Sequence, residues 1–138
     1  MKQEHLYAVA LTRLGGFNLP ALMELYQRAG SATAIYEHRN NIHDILPDAT
    51  QRLVETLENW DNVISFAERE LQYDEQNNIE VLCLNDKNYP QRLRECPDAP
   101  IVLYKQGNVN LNKHRTLNII GTRNCTQYGR DLIRAFIR

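Results

Sequence analysis

LNIIGTRNCTQYGRDLIRAFIR, residues 117–138, is the stretch on which the fold turns. Leu117, Ile119 and Ile120 form a short apolar run that stops at Gly121, and with Thr116 they read as a buried strand over Thr116–Gly121. A tight loop follows, and Thr126 stands where the N-cap of a helix belongs. Beyond it Tyr128, Leu132, Ile133, Phe136 and Ile137 recur at helical spacing on one face. Arg130, Arg134 and Arg138 recur every four residues on another. Strand, loop and helix in that order are the repeating unit of a parallel α/β sheet. Such sheets bind ligands just outside the carboxyl ends of their strands.

The loop has the chemistry of an anion site. Free N–H groups and the positive dipole end at a helix start favour a phosphate, and glycine lets backbone approach it closely. A guanidinium at Arg123 grips phosphate with two parallel hydrogen bonds. The candidate phosphate-binding residues are therefore Gly121, Thr122, Arg123, Asn124, Thr126 and Arg130. Plainer readings stay open: a tight turn for Gly121, a solvated side chain for Arg123, a solvated face for the arginine row. The dinucleotide pattern G-x-G-x-x-G is absent, since the next glycine is Gly129, and so is the P-loop pattern. Neither NAD nor ATP is supported, and no cofactor is expected. Cys125 has only His114 near it in sequence, before the strand, and Asp131 is the one acid of the segment, so no catalytic group is expected.

Upstream, two more apolar runs read as strands, Ile79–Leu84 (IEVLCL) and Ile101–Tyr104, with one or two helical turns at Tyr89–Arg94 between them. Everything before is helical in pattern. Glu4–Leu14 ends at Gly15-Gly16, a second helix runs from Leu19-Pro20 to Gly30, and Ser31 caps a third through Tyr36. Asn41–Leu46 makes another short turn, and Asp48 is placed to cap a helix through Leu53, Val54 and Leu57. Trp60 anchors the next junction, ahead of a longer helix from Asn62 to Gln76 that turns Val63, Phe66, Ala67 and Leu71 inward. Met23 is read as core. The expected class is α/β: a small all-α domain over 1–78, then the start of a parallel sheet over 79–138, with the boundary near Asn77-Asn78. Two or three strands with one covering helix cannot bury both faces of a parallel sheet, so a piece of a longer chain is expected.

Charge divides the chain at the same place. Residues 1–78 carry 6 Lys/Arg and 12 Asp/Glu, a balance of −6, and residues 79–138 carry 10 and 5, a balance of +5. From Lys105 onward seven basic residues face one acid, which points to an anionic partner, nucleic acid foremost. No run of 18 apolar residues exists, and the N-terminus MKQEHLYAVALTRL has neither the form nor the cleavage site of a secretory signal. Cys83, Cys96 and Cys125 are odd in number and lack a C-x-x-C, and the four histidines are scattered. That pattern predicts free thiols in a reducing cytoplasm and no structural metal site.

Two motifs in order resemble the DprA/Smf family. Tyr89-Pro90-Gln91-Arg92-Leu93 with Pro100-Ile101-Val102-Leu103-Tyr104-Lys105-Gln106-Gly107 is similar to its Tyr-Pro and Pro-x-x-Leu-Tyr-x-x-Gly signature. Ile119-Ile120-Gly121-Thr122-Arg123, followed by Tyr128-Gly129, is similar to its Gly-Ser/Thr-Arg loop. The resemblance covers about residues 88–129. It implies an extended Rossmann-like domain preceded by a small SAM-like or helix-hairpin-helix-like domain. It also implies a non-enzymatic role: binding and protecting single-stranded DNA in natural transformation, dimerising, and loading RecA. Arg123 inherits a place in the DNA pocket, with Gly121 and Thr122 shaping the loop. Leu14-Gly15-Gly16-Phe17 departs from the family's Gly-Ile-Gly hairpin, and the acidic balance of residues 1–78 repels DNA, so that domain reads as a packing or protein-contact module. The rival is a Rossmann-like nucleotide-binding hydrolase of the lysine-decarboxylase-like group, which the Tyr89-Pro90 signature disfavours.

Overall fold

Helix signals that close within a few residues produce most of the chain's structure. The computed structural model describes residues 2–137; Arg138, the third member of the arginine row, lies outside the described residues, as does Met1. In chain order the elements are α1 (Gln3–Arg13), α2 (Leu19–Ala29), α3 (Ala32–Glu37), a 3-10 turn (Ile42–Asp44), α4 (Gln51–Glu58) and α5 (Trp60–Gln76). Then come β1 (Ile79–Cys83), α6 (Gln91–Arg94), β2 (Val102–Gln106) and α7 (Gln127–Ile137). Asn18 caps α2 by accepting from Ala21 N–H, with Pro20 in the first turn, and Gly30 ends it at φ +85, where a side chain would be strained. Ser31 caps α3 by accepting from Ala34 N–H. The cap of α4 is Thr50, which accepts from Leu53 N–H. Asp48 was expected there; it lies in the preceding turn and pairs with Arg28 instead. α5 begins at Trp60, two residues before the expected start, because the ring that anchors the junction also opens the helix.

One apolar core runs from α1 to β2. α1 contributes Ala8, Val9, Ala10 and Leu11, and α2 contributes Leu22, Met23, Leu25 and Tyr26. Trp60 is fully buried, edge-on to Tyr36, which stacks on Tyr7 at 4.0 Å. Val81, Leu82 and Cys83 of β1, with Tyr89, Ile101 and Val102, belong to the same cluster. Each large side chain buried in this way adds roughly 1.5–3 kcal/mol. The sheet therefore lies against α1 and α5, and the chain enters it through Asn78, a positive-φ turn directly after α5. Glu4 ties the helices together. It accepts from Tyr26 Oη (2.5 Å), from the backbone N–H of Ala32 and Thr33 (2.9 Å each) and from Thr33 Oγ1 (2.6 Å).

The sheet departs from expectation in two ways. β1 and β2 pair antiparallel, with Ile79 opposite Gln106 and Cys83 opposite Val102. A parallel pair needs a crossover that carries the chain back to the other end of the sheet. Here residues 84–101 hold only the short α6 and tight turns, and Leu84 N–H donates to Ile101 O at 3.0 Å, so the chain leaves and re-enters at the same end. The strand expected over Thr116–Gly121 has no ladder. β1 and β2 are the strands paired among the described residues, and Leu117, Ile119 and Ile120 stand 71%, 52% and 93% exposed. A parallel strand buried on both faces needs neighbours on each side, and none pairs with it among the described residues.

Candidate nucleic-acid interface

The approach to the loop is fastened to the folded part by side chains. Asn112 Oδ1 accepts from Gln91 N–H at 2.8 Å, and Asn112 Nδ2 donates to Tyr89 O at 3.1 Å. Arg92 donates from Nη1 to Thr116 Oγ1 (2.5 Å) and from Nη2 to His114 O (3.1 Å). Tyr89 is itself fully buried, with its hydroxyl donating to Pro100 O at 2.6 Å. The Tyr89–Leu93 motif thus acts as the post to which residues 112–116 are tied. Sequence reading missed Arg92 and Asn112 in this role. Nothing marks them but their place in and after the Tyr-Pro motif.

Past Thr116 the chain stands in solvent. Gly121, Thr122, Arg123 and Asn124 are exposed, and a small turn forms as Asn124 N–H donates to Thr122 Oγ1 at 3.3 Å. Thr126 caps α7: its Oγ1 accepts from Gly129 N–H at 3.2 Å and its carbonyl from Arg130 N–H at 3.2 Å. Gly121 has no positive φ, and a Cβ built on it would meet nothing within 4 Å. Neither backbone strain nor packing demands glycine there, which leaves open space beside the main chain.

The cations differ in what they already hold. Arg123 makes no hydrogen bond or ion pair among the described residues. Arg130 reaches back to Cys125 O at 3.4 Å, across the start of the helix. Arg134 lies 3.7 Å from Asp131, which also accepts from Gln127. Lys105, on β2, is spent on Glu80 at 2.7 Å. The structure thus gathers Gly121, Thr122, Arg123, Asn124, Thr126 and Arg130 into one exposed turn at the head of α7. A polar cleft of about 560 Å³, lined by Lys87, Asn88, Gln91, Lys105 and Asn108 among others, adjoins Asn112 at the fastened end of the same segment. The apolar face of α7 is uncovered, with Tyr128 76%, Phe136 64% and Ile137 75% exposed. No helix of the described residues is long and apolar enough to cross a membrane.

Comparison with known proteins bears on the same region. The family described as DNA recombination-mediator protein A matches residues 80–138. A DNA processing protein DprA from Bacillus subtilis (strain 168) is 39% identical over 62 residues, which are 44% of this chain and 20% of that protein. The matched segment thus spans one fifth of that relative's length. No solved structure matches the chain. The matched span takes in nearly all of β1, the Tyr89-Pro90 post, β2 and the whole exposed turn, and over it the chain is similar to the DNA recombination-mediator protein A family.

Proposed function

We propose that the basic second half of the chain binds the phosphate backbone of single-stranded DNA at the turn before α7, as part of a recombination mediator. The observation that carries this reading is Arg123: an exposed guanidinium without a protein partner among the described residues, next to a glycine whose surroundings are open and beside a capped helix start. A phosphate there meets a fork of donors and the positive end of α7 together. Thr122, Asn124 and Arg130 line the same turn, and Thr126 presents the helix start.

The role is non-catalytic. Asp131, the acid nearest the turn in sequence, is held by Gln127 and Arg134, and the non-catalytic role is what the family resemblance implies. What the family resemblance implies completes the proposal: a Rossmann-like DNA-binding domain beginning near residue 79, homodimerisation, work in the cytoplasm, and hand-over of the strand to RecA. The helical residues 1–78, acidic in balance, serve as packing or protein-contact surface.

The test is binding of a fluorescent single-stranded oligonucleotide across a salt series, with Arg123→Ala alongside. Each phosphate contact to a single strand contributes about 0.7 to the slope of log affinity against log salt. The variant is expected to bind more weakly, with a slope shallower by about that amount. Equal affinity and equal slope would remove the turn from the DNA site.

A further inference from the structure

Packing of α1 against β1 gathers three metal-ligating side chains from distant parts of the sequence. His5 projects from α1, Cys83 ends β1, and Asp86 sits in the tight turn after it. An imidazole nitrogen, the thiol sulfur and a carboxylate oxygen all lie within 4.8 Å of one another, and His5 Nε2 is 2.9 Å from Asp86 Oδ2. The carboxylate is held in place. Asp86 Oδ2 accepts from Cys83 N–H at 2.8 Å, and Asp86 N–H donates to Cys83 O at 2.8 Å. Arg94 Nη2 donates to Asp86 O at 2.7 Å. Cys83 is 1% exposed and the His5 side chain 14%.

We propose that His5, Cys83 and Asp86 form a binding site for a divalent cation of the zinc class, with one coordination position left for water. Sulfur, nitrogen and oxygen donors together suit a borderline-soft cation better than magnesium or calcium. Three protein ligands with an open fourth position are a recognised arrangement for zinc. At Zn–S of about 2.3 Å and Zn–N of about 2.05 Å, tetrahedral donors stand roughly 3.5 Å apart, so side-chain movement of about an ångström closes the shell. A cleft of about 500 Å³ lined by Lys2, His5, Asn85, Asp86 and others gives the ion its entry and the water its place. Lys2, the cation nearest the carboxylate at 3.9 Å, is 74% exposed and free to swing into solvent.

A simple His5–Asp86 ion pair uses two of these groups and leaves the thiol out. The metal site requires the thiolate, and that difference makes it testable. Metal binding forms the sulfur–metal bond and releases the thiol proton to solvent. Affinity therefore rises with pH. Sequence spacing gives no sign of the site, because residues 5 and 83 share no local motif.

The probe is cobalt(II) alone, titrated into the 138-residue chain under reducing conditions at mildly alkaline pH. The expected result is a thiolate-to-cobalt absorption band in the near ultraviolet that saturates at about one equivalent. Cys83→Ser abolishes the band, and His5→Ala weakens cobalt binding at least roughly tenfold. A Cys96→Ser, Cys125→Ser double variant keeps the band. No band in the parent chain, or one that survives Cys83→Ser, overturns the proposal. Should Cys83→Ser fail to fold by far-ultraviolet circular dichroism, His5→Ala decides: its side chain is at the mouth of the cleft, and an unchanged titration overturns the site equally.

Discussion

Residues 3–106 and residues 117–137 carry the same kinds of local signal and reach different ends. In the first region amphipathic helices with Asn18, Ser31 and Thr50 as caps close around Trp60, Tyr26 and Leu11, which are all but completely buried. In the second, α7 is equally well patterned and capped by Thr126, yet its apolar face and Ile120 are open to solvent. A cap and a 3.6-residue period decide that a helix forms. Whether it contributes a core depends on a second apolar surface to bury against. Among the described residues the first region has that surface and the second does not, and the exposed turn with Arg123 lies in the region that packs least.

The comparison breaks most sharply on core truncation. Trp60→Ala is expected to cost about 3–5 kcal/mol in urea unfolding. Phe136→Ala, at a side chain 64% exposed, should stay within about 0.5 kcal/mol of the parent. A comparable loss at Phe136 would mean that α7 is covered in solution after all.

A smaller effect is expected at Glu4. Burial raises this carboxyl, but the hydrogen bonds from Thr33 and Tyr26 and from the N–H groups of Ala32 and Thr33 outweigh it and hold it below its usual value of 4.5. A depressed acid stabilises the fold fully above its unfolded value and loses that contribution as pH falls through its folded value. Glu4→Gln turns an amide donor toward N–H donors and should cost about 1–3 kcal/mol at neutral pH. The gap between parent and variant then narrows as the solution is acidified below 4.5. A gap that is constant with pH would place the effect in packing rather than charge.

The smallest effect sharpens the other side. Thr126→Ala removes the α7 cap, worth about 1 kcal/mol to the helix. It should speed amide exchange at Gly129 and Arg130 while leaving the urea midpoint of the α1–β2 core where it was. A shift of that midpoint would tie the two regions into one cooperative unit.

How far the sequence could be read follows the range of the interactions. Leu22, Met23, Leu25 and Tyr26 were legible as a buried face, and Gly30 and Ser31 as a stop and a start, because periodicity, caps and αL ends are settled within about four residues. The turn at Gly121–Thr126 and its helix were legible for the same reason. Asp48 and Thr50 were confused because both are good caps and only the packed turn decides which one faces the helix. The sense of the β1–β2 pair was not legible. It depends on whether residues 84–101 cross over or turn back, and hydrogen bonds such as Leu84 to Ile101 link residues far apart in the chain.

By itself, then, the sequence determined most of the helices, the Ser31 and Thr126 caps and the charge division, all of which rest on local chemistry and composition. Tertiary structure alone decided three things. β1 meets β2 antiparallel, Thr116–Gly121 stays without a ladder, and His5 comes to Cys83 and Asp86. Each depends on which distant surfaces meet when the core closes, and the free energy that selects those meetings comes from apolar area buried between elements, which no local pattern encodes.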